Sequence, residues 1–154
     1  MKAKYKKVKT INEFIDAIRI RVEVFEIEQK CKPGSEPDEF DKIAQHYVAV
    51  ANGKIVSTAR FREPYKGIIK IGRMATKKEY RGKGISSGLL NYILKDTKKL
   101  KPKKIWLQSQ VQAQKFYEKH GFKVISQSYD WDDIPHIDMV YVGQIKMSEF
   151  SSSL

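Results

Sequence analysis

The chain has 154 residues, of which 41% are hydrophobic, 31% are charged and 11% are aromatic, and its formal net charge at pH 7 is +12. This length and composition predict one folded domain with a real core and exclude a largely disordered chain. Because no apolar run approaches the roughly 20 residues of a membrane span, we expect no membrane partner. Cys31 is the single cysteine, which excludes an internal disulfide and a cysteine-rich metal site. The simplest interpretation is a cytoplasmic protein.

The net positive charge, which comes largely from lysines, has three interpretations. Nucleic acid would be attracted by it, a small polyanionic cofactor would be attracted as well, and a solvated lysine-rich surface needs no partner. Charge alone favours the third interpretation. The sequence has no recognisable nucleic-acid-binding motif, so we expect no nucleic acid partner.

The first half of the chain predicts one helix and three strands. Thr10 and Glu13 have the spacing of a capping box, and apolar residues recur at helical spacing from residue 11 to the mid-twenties: Ile11, Phe14, Ile15, Ile18 and Val22. Segment 30–41 is rich in proline, glycine and acids and predicts a long loop. Two β-rich runs flank Asn52-Gly53 and predict a hairpin. A second turn at 65–67 then leads into a strand over 68–76.

The second half predicts two helices and three strands. A helix is expected from about Gly84 to Lys99, with an apolar stripe formed by Ile85, Leu89, Ile93 and Leu100 and with Leu90 and Leu94 beside it. A strand over 104–110, a helix over 112–120 and strands over about 122–129 and 137–142 follow. This order predicts the α/β (α+β) class, with a mixed, mostly antiparallel sheet flanked by helices. We expect one domain over residues 1–150 and a short polar tail over 151–154.

The segment "EYRGKGISSG" (79–88) lies between a predicted strand and a predicted helix. Backbone N–H groups and the helix dipole make such a helix start an anion site, and glycines let phosphate oxygens approach the backbone. Arg81 and Lys83 add positive charge. The spacing is neither that of a Walker loop nor that of a Rossmann loop. The alternative is a simple turn that starts the helix.

Seven segments of the chain resemble those of the GCN5-related N-acetyltransferases (GNAT). "RGKGIS" is similar to their pyrophosphate loop, with Arg81 and Gly84 in the motif positions and Ser86 where the family usually has glycine or alanine. "IGRMAT" resembles the central strand, and "AQKFYEKHGF" resembles the later helix motif. "RVEVFEIEQKC", "DEFDKIAQHYVAV", "LQSQVQAQKFY" and "IPHIDM" extend the similarity over nearly the whole chain and point to the ElaA-like branch.

The resemblance implies that acetyl-CoA is the cofactor and that acetyl passes to a primary amine by direct attack in a ternary complex. The cofactor contacts that it implies are Met74, Ala75, Thr76, Arg81, Gly82, Lys83, Gly84, Ile85, Ser86, Gln110 and Phe116. Gln110 stands where many members have asparagine. The alternatives are a non-catalytic CoA-binding sensor or partner-binding module and, further away, a basic nucleic-acid-binding domain.

The resemblance also implies the catalytic groups. Tyr117 takes the position of the general acid, and a phenol with a pKa of about 10 is protonated at pH 7; its alternative role is packing beside Phe116. Glu28 is the candidate base and lies where the family forms its acceptor pocket, although a surface acid is the alternative. Arg73 and His136 are candidate contacts of the acceptor. The alternatives are that Arg73 is simply exposed on a strand face and that His136 makes a structural hydrogen bond.

Other side chains leave further alternatives open. Asp38 and Asp41 are candidates for contacting a cationic acceptor, or for turn and cap roles. Trp131, Asp132 and Asp133 are predicted to lie in a loop between the last strands. Three histidines and one cysteine lack the ligand spacing of a zinc site, so we expect no metal. The acceptor is a small-molecule or peptide amine, and both a monomer and a homodimer remain open.

Overall fold

The computed structural model describes residues 2–143, which fall into two compact units with the boundary between Lys103 and Lys104. The first unit contains four antiparallel strands in spatial order: β1 (Lys4–Lys7), β2 (Gln45–Ala51), β3 (Lys54–Tyr65) and β4 (Ile68–Thr76). The predicted domain over residues 1–150 and its tail stay predictions, and residues 144–154 lie outside the described residues.

Strand β1 was not expected from the sequence, because its lysines break the apolar pattern of a buried strand. It pairs with β2 at the edge of the sheet, with Tyr5 opposite Ala49. Lysines on an edge strand discourage pairing with other chains. The first unit therefore begins with a strand, and the prediction that a helix comes first is wrong.

The predicted hairpin is confirmed. Asn52 and Gly53 join β2 to β3, and both have positive φ, at 51° and 71°, as a two-residue hairpin turn of type I′ requires. Further along, Thr58 pairs with Ala75 and Arg60 pairs with Gly72. Two residues of β4 therefore oppose one residue of β3, which is a β-bulge at 73–74.

The predicted first helix is confirmed as α1 (Ile11–Arg21), which continues as a π-helical segment, Val22–Glu28. The capping box is present: the Glu13 N–H donates to the Thr10 hydroxyl at 3.1 Å, and the Thr10 N–H donates to the Glu13 carboxylate at 3.1 Å. The residues that α1 buries are Ala17, Ile20 and Arg21. The apolar stripe read from the sequence lies on a different face of the helix.

The second predicted helix is confirmed as α2 (Ile85–Lys98), and its apolar stripe is buried except for Leu100, which is 59% exposed. Ile55 packs against a core cluster that contains Ile20 of α1, whereas the next residue, Val56, belongs to a cluster with Ile85 of α2. Successive side chains of a strand point to opposite faces. Helices α1 and α2 therefore cover opposite faces of the first unit's sheet.

The second unit is built around one central strand. Strand β8 (Ile134–Tyr141) pairs antiparallel with β5 (Lys104–Gln110), β6 (Phe122–Val124) and β7 (Tyr129–Trp131). Helix α3 (Gln114–Glu118) follows a 3-10 turn, Val111–Ala113, so the predicted helix over 112–120 was too long. The α/β class with a mostly antiparallel sheet and flanking helices is confirmed. Among residues 2–143, no helix is long and apolar enough to cross a membrane.

The strand predicted over 122–129 was too long: it is observed only as β6, the Ile125 N–H still donates to the Asp138 carbonyl at 2.9 Å, and regular pairing resumes only in β7. The Ser126 hydroxyl accepts the Asp138 N–H at 2.9 Å, a donor that a continuing strand would otherwise use. Trp131 lies in β7 rather than in a loop. Asp132 and Asp133 form the turn into β8 with φ of 55° and 61°, a left-handed conformation that short polar side chains tolerate.

Candidate active site

The segment after β4 has the backbone of an anion-binding loop. Gly82 and Gly84 have φ of 73° and 80°, in the left-handed region that glycine adopts without strain. Gly84 is the N-cap of α2, whose first-turn N–H groups have no partner within the helix. A Cβ added at either glycine would meet nothing within 4 Å. The loop surface is thus open where a phosphate would approach the start of α2, and the residues present fit such a group.

Ser86, which departs from the family motif, closes a chain of hydroxyl groups. The Ser57 hydroxyl donates to the Ala75 carbonyl at 3.1 Å, and the Ser57–Thr76 and Thr76–Ser86 oxygen pairs are each 2.7 Å apart. A hydroxyl has one hydrogen to donate, so Thr76 donates to Ser57 and Ser86 donates to Thr76. Ser86 ties the start of α2 to the end of β4, and its hydrogen is already used there.

The third glycine of the segment has a packing role. A Cβ at Gly88 would lie 1.9 Å from the Tyr5 hydroxyl oxygen, which real structures do not permit. Gly88 therefore lets β1 approach α2, and it does not belong to the open loop surface.

Arg81 and Glu28 form an ion pair that the sequence did not indicate. The Arg81 guanidinium donates to both Glu28 carboxylate oxygens, at 2.9 and 3.0 Å, and Arg81 Nε donates to the Thr76 carbonyl at 2.9 Å. The structure therefore joins the predicted loop arginine to the predicted base at the end of the π-helical segment. Lys83 is exposed beside them.

The bulge in β4 lies at Arg73 and Met74, which the sequence analysis gave as an acceptor contact and a cofactor contact. Arg73 has φ of 51°, an uncommon conformation for a residue with a long side chain. Its guanidinium contacts Glu36 and Asp38, each at 3.0 Å. Bulges are frequent beside active sites, where they redirect side chains and interrupt strand pairing.

Six charged side chains form what we call the arginine–carboxylate ring. Each carboxylate bridges two arginines in the closed order Arg21, Glu36, Arg73, Asp38, Arg60 and Asp41. The Arg21 and Asp41 side chains are 1% and 3% exposed. The ring thereby fastens the long loop over 36–41 to α1, β3 and β4. Sequence reasoning missed it, since nothing local links arginines to acids 15 to 37 residues away.

Asp38 and Asp41 therefore have structural partners, as one of the two sequence interpretations held. Asp38 caps the 3-10 turn Glu39–Lys42, and Asp41 completes its capping box. Desolvation opposes ionisation of Asp41, but the hydrogen bond and charge of Arg21 outweigh it and hold the pKa of that carboxyl below its usual range. His46 Nε2 donates to the Asp41 carbonyl at 3.0 Å, and burial lowers the pKa of its imidazole.

Glu36, Asp38 and Asp41 also have the spacing of metal ligands, with one oxygen from each within 4.8 Å of the others. The three arginines already neutralise these carboxylates. The expectation of no metal stays a prediction.

In the second unit, Tyr117 is half-buried among aromatic rings. Its ring makes edge contacts with Phe116 and Phe122, with centroids 5.1 and 5.9 Å apart. Burial raises the pKa of Tyr117 to about 12. The phenol therefore carries its proton at neutral pH.

Gln110 and His136 are cross-strand partners of β5 and β8. The Gln112 amide donates to Gln110 Oε1 at 2.7 Å. His136 Nδ1 lies 2.7 Å from the Ile134 carbonyl oxygen, which can only accept, so Nδ1 carries the hydrogen. A neutral His136 consequently has its lone pair on Nε2.

Comparison with known proteins decides the family, because the Acetyltransferase (GNAT) domain matches residues 8–142. The chain belongs to the GNAT acetyltransferase family. A UPF0039 protein of Schizosaccharomyces pombe is 35% identical over 132 residues, covering 84% of this chain and 87% of that protein.

Two solved structures have the same fold as this GNAT chain. An acyl-CoA N-acyltransferase from Pseudomonas aeruginosa has a TM-score of 0.80 at 30% identity, covering 92% of this chain and 99% of that one. ElaA from Escherichia coli has a TM-score of 0.82 at 23% identity, covering 91% and 99%. The expected GNAT membership is confirmed, and the chain is assigned to the acyltransferases.

Proposed function

We propose that the chain transfers acetyl from acetyl-CoA to a primary amine in a ternary complex. The observation that carries this proposal is the open loop 81–86 at the start of α2, directly after the bulged end of β4. Anionic groups bind at such helix starts because the N–H groups and the dipole point towards them. The likeness to an acyl-CoA N-acyltransferase supports a CoA thioester as the donor.

For the cofactor, we assign the pyrophosphate to the loop and the pantetheine arm to β4. Arg81, Gly82, Lys83, Gly84, Ile85 and Ser86 would hold the phosphates, and Met74, Ala75 and Thr76 would hydrogen-bond the arm through their backbone; Gln110 and Phe116 would complete the contacts. Since the Ser86 hydroxyl hydrogen is used by Thr76, we assign Ser86's contribution to its backbone N–H. A backbone N–H near Met74 would stabilise the oxyanion.

For proton transfer, Tyr117 is the proposed acid. The amine attacks the thioester carbonyl, the carbon–sulfur bond breaks, and Tyr117 gives its proton to the departing thiolate. Its raised pKa keeps the phenol protonated beforehand. A thiol with a pKa near 8.5 would hold that proton more weakly than this phenol, so the transfer is completed when Tyr117 takes up the proton that the attacking nitrogen loses as the amide forms.

Two residues are proposed as candidates for the general base, Glu28 and His136. Glu28 is engaged by Arg81, so it accepts a proton only when that ion pair opens. His136 presents a lone pair on Nε2 when neutral, because Nδ1 donates to the Ile134 carbonyl, and that lone pair can accept a proton. Arg73, held by Glu36 and Asp38, is proposed as an acceptor-side group.

Two measurements test the function. Acetyl-CoA should raise the melting temperature, whereas an oligonucleotide of equal charge should not; 100-fold excess over Kd corresponds to about 2.7 kcal/mol. Release of CoA thiol is then followed across small amines, amino sugars and peptide amines. Stabilisation without thiol release from any amine would support the non-catalytic CoA-binding alternative.

The acid assignment has a matched control. Tyr117→Phe should lower the turnover rate by about 100-fold or more, while Tyr65→Phe, at a side chain that is 74% exposed, should leave it unchanged. An unchanged rate in Tyr117→Phe would show that another group protonates the thiolate. Glu28→Gln and His136→Gln distinguish the bases, because only loss of the true base removes the acid limb of the pH–rate profile.

A further inference from the structure

Helix α1 and the first residue of its π-helical extension carry an apolar stripe that faces away from the sheet. Ile11, Ile15, Ile18 and Val22 follow one another at intervals of four, three and four residues, which is the spacing of a coiled-coil seam. Ile11 is 70% exposed and Ile15 is 41% exposed. The residues that α1 buries against the sheet are others, Ala17, Ile20 and Arg21, and none of the four stripe residues belongs to the buried core.

The stripe forms part of a groove of about 390 Å³. Its apolar lining includes Phe14, Ile15, Ile18, Val22 and Ile27, and Ile27 is 67% exposed. Contiguous exposed apolar surface of this kind marks interaction sites in proteins. The groove lies entirely within the first unit.

The charges at the rim indicate which partner fits. Arg19 and Glu23 are the two charged residues that line the groove, so the groove carries no net charge although the chain carries +12. An acidic partner would be attracted to the basic remainder of the surface rather than to this face. A second copy of the same face supplies an equally apolar and equally balanced surface.

We propose that this groove is the interface of a homodimer in which two α1 helices, with their π-helical extensions, pack antiparallel across a twofold axis. With the axis beside Arg21, midway along the groove, Ile15 lies opposite Ile27 of the second copy. Ile18 then lies two residues from the position directly opposite Val22 of the second copy, so the two side chains are neighbours in the seam. The same axis brings together the apolar residues that line the groove, Ile15, Ile18, Val22 and Ile27, and Ile11 lies outside this seam.

The register also pairs the rim charges. A twofold axis perpendicular to both helices keeps each flank of the stripe on its own side, so residues of one flank meet the same flank of the second copy. Arg19 and Glu23 are four residues apart on one flank. In this register, Arg19 of each copy lies opposite Glu23 of the other copy. The interface is self-complementary in shape, polarity and charge, and it does not depend on the proposed catalytic function.

Sedimentation equilibrium of the full chain at physiological ionic strength tests the dimer. The wild-type mass should rise from monomer to dimer over micromolar concentrations, and Ile15→Glu should weaken association at least about tenfold. Ile43→Glu is the matched control, because Ile43 is 74% exposed and outside the groove. A wild type that stays monomeric, or an Ile43→Glu variant as weak as Ile15→Glu, would overturn the proposal.

Charge reversal tests the register separately from folding. Arg19→Glu and Glu23→Arg should each weaken the dimer by placing like charges opposite each other, and the double variant should restore it. Melting temperatures check that each variant is folded. Single variants without effect on mass, or a double variant weaker than both singles, would rule out this antiparallel register.

Discussion

Arg21 and Arg81 show two uses of the same side chain within one unit. Arg21 is 1% exposed and belongs to the arginine–carboxylate ring, in which each carboxylate is shared by two arginines. Arg81 is 41% exposed and pairs with the single carboxylate of Glu28. Carboxylates pair with both arginines, but the Arg21 pairs are buried, whereas the Arg81–Glu28 pair is partly exposed and exposed Lys83 follows in the same loop. The net charge of +12 therefore does not tell where an anion can bind; the exposure of the local charges does.

The largest effect is expected at the ring. Arg21→Met leaves two buried carboxylates short of a partner and should lower the free energy of unfolding by about 3–5 kcal/mol. The matched change Arg81→Met removes a solvent-exposed pair and should cost less than about 1 kcal/mol. Urea denaturation measures both. Equal losses in the two variants would mean that the ring and the loop do not differ as described.

The second prediction separates the packing glycine from the loop. Gly88→Ala should lower the free energy of unfolding by about 1–3 kcal/mol, because its methyl group would collide with Tyr5. In the double variant, Tyr5→Ala removes the side chain that the methyl group meets, so part of the lost free energy of unfolding should be recovered. Acetyl-CoA should still stabilise the Gly88→Ala protein in a thermal shift, and loss of that response would assign Gly88 to the binding surface.

The third prediction concerns the loop itself. Gly84→Ala imposes a left-handed conformation on alanine and should cost about 1–2 kcal/mol, and the added methyl group at the start of α2 should abolish stabilisation by acetyl-CoA. Gly53→Ala is the control, since Gly53 also has positive φ and open space around its Cβ position. Both variants should lose similar stability, and only Gly84→Ala should lose ligand response. If acetyl-CoA stabilises both equally, the loop does not hold the phosphates.

The smallest effect is a pH dependence beside the ring. Burial lowers the pKa of His46 in the folded state below its ordinary value of 6.5, so its contribution is present above pH 6.5 and is lost as the pH falls through the folded pKa. Stability should decline as the pH falls below about 6.5, and His46→Gln should flatten that decline. Asp38 and Asp41 have lowered pKa values in the folded state, so the stability that they contribute is lost only below about pH 3.8. An unchanged profile in His46→Gln would assign the decline to other groups.

Local signals in the sequence predicted most elements correctly. The Thr10–Glu13 capping box, the Asn52-Gly53 turn and the α2 stripe each depend on residues a few positions apart, so the chain encodes them directly. The glycine-rich loop and its place after β4 were predicted on the same basis. Strands β1 and β7 were missed, because the first is rich in lysine and the second has three residues whose pairing with β8 depends on the Asp132–Asp133 turn.

The site was predictable in part. The loop, the strand end and Tyr117 came from motif resemblance, and their roles stay predictions. The Arg81–Glu28 pair, the direction of the Ser86 hydroxyl and the partners of Arg73 could not be read from the sequence. Each depends on a residue at least 10 positions away, and for Arg81 the separation is 53 residues.

What the sequence determined by itself was therefore the GNAT family, the hairpin turn, the helix boundaries near capping residues and the position of the anion loop. Tertiary structure decided which arginines are neutralised, which glycine serves packing and which face of α1 stays exposed. The physical reason is one of range. Turns, caps and helical stripes follow from neighbouring residues, whereas burial and ion pairing arise only when distant segments of the chain meet.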